Sequence, residues 1–358
     1  MKTKLLLAVL MLSFVAMLIW TNRSHPATAP TPPAPSESVL PKLPAHFVGT
    51  AHQQSDAPQS TNHFREWIKD GQHAPQLTPE QLEGYLQANH RNAESLLTAL
   101  YTSHDHAFLR EAITNFPNDP KVAYAALFFG NLPPEEARQW ADNFKRAAPD
   151  NTMADYASAL NYMKSGQPEL AMQDMAAAAK NTWTDYSAQF IESSEEAYRA
   201  AGYSDLDAKT AAQTQLLLPD LGQLKQLGQQ LATLAASYQQ SGDAASAQTT
   251  LQMDMRLGQQ LSATEVQPLI TSLVGYAVQR IALAAMDPNA PYGDSGQTVQ
   301  DQINQLSQQR ENIKSLVNQS ENVRSMMSDE DYLNYLERRQ SFGELSAMHW
   351  AISKYGSQ

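Results

Sequence analysis

Two stretches of the chain carry one five-point pattern at identical spacing: Ala159-x2-Tyr162-x3-Gly166-x4-Ala171-x3-Met175 and Ala235-x2-Tyr238-x3-Gly242-x4-Ala247-x3-Leu251. A small residue and an aromatic three positions later share a helical face. The glycine frees the backbone to reverse, and an alanine with a large apolar residue four positions on begins a second helical face. The pattern therefore prescribes two short antiparallel helices, pressed together where the side chains are small and joined at the glycine. One such pair cannot cover both of its faces, so pairs must stack on one another.

The same register extends backwards, with Ala125, Phe128, Ala137 and Pro149 in the slots later held by Ala159, Tyr162, Ala171 and Trp183. A 34-residue unit with a small residue, an aromatic, a glycine and an alanine resembles the tetratricopeptide repeat. The resemblance covers about residues 93 to 257, best in 152–181 and 228–257. The unit from 118 to 151 has Leu132 before Pro133-Pro134 where the others have glycine. The offset between the two best units exceeds two 34-residue repeats by eight, which places extra residues around Gly202 to Pro219.

The resemblance implies an all-α solenoid of helical hairpins with a concave inner wall that docks another protein, as an extended peptide or a helix. Inner-wall positions then fall on Val122, Ala126 and Phe129, on Tyr156, Leu160, Met163 and Lys164, and on Ala232, Ala236, Gln239 and Gln240. Phe129, Tyr156, Met163, Lys164, Gln239 and Gln240 are the candidate partner-binding groove. Ala159, Tyr162, Gly166, Ala171, Ala235, Tyr238, Gly242 and Ala247 are buried spacers that define the repeat.

Composition narrows the classes further. A net charge of −12 with no clustered Lys/Arg surface argues against nucleic-acid binding. The chain has no cysteine, which removes disulfides, thiolate nucleophiles and cysteine-ligated zinc together.

The N-terminus is Met-Lys-Thr-Lys followed by an apolar run from Leu5 to Trp20, generous for a signal-peptide core and short for a full membrane crossing. The best small-x-small site is Ala27-Thr28-Ala29, where Pro30 would hinder cleavage, so an uncleaved anchor is favoured over a cleaved signal. Lys2 and Lys4 keep the N-terminus in the cytoplasm and put the bulk of the chain outside. Residues 22–62 contain Pro26, Pro30, Pro32, Pro33, Pro35, Pro41, Pro44 and Pro58 without apolar periodicity, as expected for an extended linker. The expected organisation is a signal or anchor over 1–21, a proline-rich stalk over 22–62, the helical-repeat domain over 63–262 and a C-terminal helical region over 263–358.

Thr78-Pro79-Glu80-Gln81 announces the first clear helix, with Thr78 as N-cap and Gln81 closing a capping box. Thr264 to Met286 reads as a buried helix, since Gln267, Gln279 and Arg280 interrupt its apolar run. The helix expected over 298–327 carries Val299, Ile303, Leu306, Ile313, Val317 and Val323 in near-heptad order, a seam for self-association or for capping the solenoid.

Spacing yields only fragments of catalytic constellations. Gly293-Asp294-Ser295-Gly296 and Thr50-Ala51-His52 imitate fragments of a serine-protease site, but a turn between helices and a proline-rich linker cannot position a triad. His104-Asp105-His106 does not converge on a metal from one helix. Glu135-Glu136 sits where a helix start favours negative charge. No catalytic residue, metal or cofactor is expected. The leading expectation is a membrane-anchored, extracytoplasmic scaffold, periplasmic in a Gram-negative source. A helical-solenoid enzyme or small-ligand receptor of the cell envelope and a self-assembling envelope protein are the alternatives.

Overall fold

Helix starts follow local chemistry in the computed structural model, which describes residues 76–263, 266, 268–293 and 296–356. Thr78 and Gln81 exchange side-chain-to-backbone hydrogen bonds of 2.9 and 3.2 Å, forming the capping box ahead of α1 (Pro79–Ala88). There follow α2 (Ala93–Ser103), α3 (His106–Asn115), α4 (Pro120–Phe129), α5 (Pro134–Ala147), α6 (Thr152–Lys164) and α7 (Pro168–Ala178). Proline opens α1, α4, α5 and α7, where a missing N–H costs nothing. Then come α8 (Ser187–Ala200), α9 (Asp205–Thr214), α10 (Pro219–Gln240), α11 (Ala244–Ser262) and α12 (Leu269–Ala284). A two-residue hairpin, β1 (Pro291–Tyr292) and β2 (Gln297–Thr298), precedes α13 (Val299–Arg324), α14 (Asp329–Phe342) and α15 (Glu344–Tyr355). The class is all-α. The N-terminal apolar run, the proline-rich linker, His52, Asp294 and Ser295 lie outside the described residues.

The two pattern glycines make the same turn. Gly166 and Gly242 have φ of 69° and 83°, the left-handed region that suits glycine. Around them two backbone bonds correspond. Gln167 N–H donates to Tyr162 O at 3.0 Å and Asp243 N–H to Tyr238 O at 2.9 Å, while Gly166 and Gly242 donate to Met163 and Gln239 at 3.2 and 3.1 Å. The unit with Leu132 at the register position of the glycine takes the left-handed turn at Asn131, φ 45°, one residue earlier.

The pattern alanines are buried as spacing requires: Ala159 and Ala171 are 0% exposed, Ala235 0% and Ala247 2%. Tyr162 and Tyr238, beside the turns, are only half-buried. The Arg138 guanidinium of α5 lies 4.2 Å from the centre of the Tyr162 ring, so a cation covers this ring as well as apolar packing.

The hairpins α6/α7 and α10/α11 pack directly on each other, α6 against α10 and α7 against α11. The intervening pair α8/α9 leaves the stack. Helix α8 packs against α2 and α1, and α9 against α14. Lys209 Nζ of α9 donates to the Gln340 side chain of α14 at 3.1 Å, and Gln213 Nε2 donates to Leu336 O at 3.3 Å. The residues between the two best units thus include a whole hairpin that packs elsewhere, α8 on the first two helices and α9 on α14.

That excursion fills the inner side of α2 and α4 with rings. Phe190 of α8 lies 4.2 Å from Tyr101 and 5.8 Å from Tyr124, and Tyr186, just before α8, lies 5.4 Å from Tyr124. Phe128, Phe129 and Phe144 complete the cluster around Tyr124. The Tyr124 hydroxyl donates to Asp220 Oδ1 of α10 at 2.9 Å.

Helix α12 runs over α10 and α11, and a Cβ added to Gly275 would stand 2.6 Å from Gly258 O, so these helices meet backbone to backbone. Among the described residues no helix is long and apolar enough to cross a membrane. Helix α13 turns Val299, Leu306, Ile313 and Val323 inward, and it packs against α12 and α15. The described residues belong to one compact unit.

Candidate functional site

The six candidate groove residues do not line one surface. Tyr156 is 1% exposed, and its hydroxyl donates to the Gln260 side chain of α11. Val122, Ala126 and Leu160 of the expected inner wall are likewise buried, at 0, 0 and 2%. Phe129 is half-buried with its ring 5.2 Å from Tyr101, inside the aromatic cluster. Met163 is half-buried and Lys164 exposed at the end of α6; Gln239 and Gln240 are exposed at the end of α10. The physical reason is the excursion of α8 and the length of α10: these helices occupy the inner side of α2, α4 and α6, so the wall that would receive a partner packs against the chain itself.

Of the six, Gln239 lines an open groove of about 580 Å3 on another face. One wall is α11, with Ala244, Ala247, Leu251 and Met255 in one row and Gln248, Gln252 and Gln259 in the next. Helical geometry produces the two rows, because residues three and four apart lie one above the other. The other wall is Met286, Ala290 and the strand residues Pro291 and Tyr292, with Gly293 and Val299 at its end. Beneath lies a core of Met255, Ala282, Leu283, Val299 and Leu306, against which Met286 and Tyr292 pack. The hairpin is held by Pro291–Thr298 and Tyr292–Gln297 pairing and by Val299 N–H donating to Ala290 O at 3.0 Å.

Among the described residues no Asp, Glu, Lys, Arg or His lines this groove. Amides and apolar groups alone face it, in a chain with a net charge of −12. The neighbouring charges on α11 point elsewhere: Asp254 is fully buried in the interior and Arg256 is outside the groove lining. A surface of this kind offers hydrogen-bond donors and acceptors in equal measure, since each glutamine has both.

Ionisable groups elsewhere are structural ties. Lys145 of α5 pairs with Asp174 of α7 and lies 3.5 Å from Asp155 of α6, while Ser158 and Asn181 donate to the two acids. Glu195 of α8 accepts from Arg199 at 3.0 Å and from Lys209 of α9 at 3.1 Å. Burial pushes the Asp220 carboxyl up to about 6, against the lowering effect of the Tyr124 hydroxyl. Asp105 caps α3 by accepting from Ala107 N–H at 2.8 Å, and His104 takes the left-handed position before it, so His104-Asp105-His106 is a turn between helices. Glu135 and Glu136 occupy the first turn of α5. Among the described residues no three His, Cys, Asp or Glu side chains are placed to hold a metal ion.

Sequence spacing missed Gln248, Gln252, Gln259, Met286 and Tyr292. The glutamines were legible as an unusually amide-rich helix, but what stands opposite them depends on where α12 and the hairpin pack. No family model, curated protein or solved structure matches the chain.

Proposed function

We propose that this chain is a tetratricopeptide-like scaffold that binds another protein, with residues 63–262 as the repeat domain. The groove between α11 and the β1–β2 hairpin is its docking surface. The observation that carries the reading is that groove: about 580 Å3, open and amide-edged, with no charged side chain among its described lining residues, on an acidic chain. The matching turns at Gly166 and Gly242 support the repeat assignment. Lys2, Lys4 and the apolar run from Leu5 to Trp20 support an N-terminal membrane anchor with the folded part outside the cytoplasm, or a cleaved signal and secretion. The reading is a binder: the described lining of the groove offers amides and apolar groups, which suit docking. A small-ligand receptor is the second reading, favoured by a volume within the range of about 300–1,000 Å3 usual for ligand pockets.

The test is a photo-crosslinking amino acid placed at Gln252 in the full-length chain, in the native host, with Asn312 on α13 as the control position. A discrete protein adduct at Gln252 that is absent at Asn312 is the expected result. Identical adducts at both positions, or none at Gln252, would overturn the docking assignment.

A further inference from the structure

We infer that the occupant of the groove is an uncharged protein segment bound in extended conformation, its main chain hydrogen-bonded by the glutamine row of α11. This inference rests on the docking role proposed above and specifies its partner.

Three observations carry it. The first is spacing. Gln248 and Gln252 are four residues apart on α11, about 6.0 Å along the axis. In an extended chain the N–H and C=O groups on one edge repeat every two residues, roughly 6.6–6.8 Å. The two repeats agree to within about 0.8 Å, within the reach of a flexible glutamine. The lined length of α11, from Ala244 to Gln259, is about 22 Å, the span of roughly seven extended residues.

The second is chemistry. A main-chain edge presents donors and acceptors alternately, and a primary amide can answer both. A carboxylate or an ammonium can answer only one, and no such group is among the described residues that line the groove. A helical partner has already bonded its N–H and C=O groups internally, so the amide row would have no main-chain group to meet.

The third is charge. A charged side chain entering this groove would lose water and find no counter-ion among the described lining residues, which disfavours it. Alternate apolar side chains of an extended segment instead reach Ala244, Met286, Pro291 and Tyr292, the apolar lining groups left accessible above the buried Ala247, Leu251 and Met255. Binding of this kind should depend little on salt, because no charge is paired.

The test uses the full-length chain and pools of capped heptapeptides in affinity selection. One pool draws on Ser, Thr, Asn, Gln, Leu, Val, Met and Phe; parallel pools include Glu or Lys at alternate positions. Enrichment from the uncharged pool at least tenfold above the charged pools is expected, unchanged by added salt. Replacing Gln248→Glu together with Gln252→Glu, both exposed positions, should cut affinity for the best binder about tenfold or more with the melting temperature unaltered. Methylating alternate main-chain nitrogens of that binder should do the same. Enrichment from a charged pool, no enrichment from any pool, full binding by the double variant, or full binding by the methylated peptide would each overturn the inference. A protein adduct at Gln252 in the crosslinking experiment alongside any of these results would leave the docking site standing and remove only its occupant.

Discussion

Asp254 is 0% exposed on α11, and neither of its carboxyl oxygens has a hydrogen-bond partner. It faces Gly228 of α10, where an added Cβ would stand 2.9 Å from Oδ1 and 3.0 Å from Val278 Cγ1 of α12. Burial raises its pKa to about 8, so at neutral pH the acid is mostly protonated. Unfolded, it would ionise near 3.9. Between about pH 4 and 8 the folded chain therefore holds a proton that the unfolded chain has lost, and stability falls as pH rises through that window, levelling above it. Asp220, raised to about 6, completes its own loss by then. Between pH 6 and 8 the wild-type midpoint in urea should thus decline, and Asp254→Asn should flatten the decline. An unchanged slope in the variant would show that other groups cause it. Residue identity here was legible as an aspartate in an amphipathic helix; its isolation in the core was not, because Gly228 and Val278 come from two other helices.

At the scale of the element, α10 offers an internal comparison. Gly222 and Gly228 both sit within its helical span, but a Cβ at Gly222 meets nothing within 4 Å. Gly222→Ala should stabilise the chain by about 0.5–1 kcal/mol, because alanine is the better helix former. Gly228→Ala should destabilise it by about 1–3 kcal/mol, since α11 or α12 must move to admit the methyl group. Chemical denaturation of the two variants should give shifts of opposite sign; shifts of the same sign would refute the close approach at Gly228. The sequence supports helix at both glycines and cannot rank them, as the difference lies wholly in what packs above. Local signals served well where partners are near in sequence: the Thr78 box, the prolines opening helices and the turns at Gly166 and Gly242. Asn131 took the turn that the register put at Leu132, because asparagine tolerates the left-handed region better than a bulky apolar residue.

For the whole molecule, the decisive event is the return of α8 to α1 and α2. Phe190, 5% exposed, joins Tyr101, Tyr124 and Tyr186 in the aromatic cluster that occupies the inner side of the hairpins. Phe190→Ala should cost about 3–5 kcal/mol, read from the denaturation midpoint. A loss below about 1 kcal/mol would mean that α8 lies only loosely on the array.

Helix-forming composition, caps and left-handed turns are written locally, since each depends on groups within five residues of one another, and the paired-helix pattern runs only from Ala159 to Met175. Those features of the fold were therefore legible from the chain alone. The filling of the inner wall was not: Tyr124 meets Asp220 across 96 positions and Tyr156 meets Gln260 across 104. The pattern of small residue, aromatic and glycine says that hairpins must stack, but not that one of them leaves the stack to cover another. Only the packed structure decided this, and with it which face stayed open. Burial is settled by competition among all apolar faces at once, and α8 won the surface that spacing had assigned to a partner.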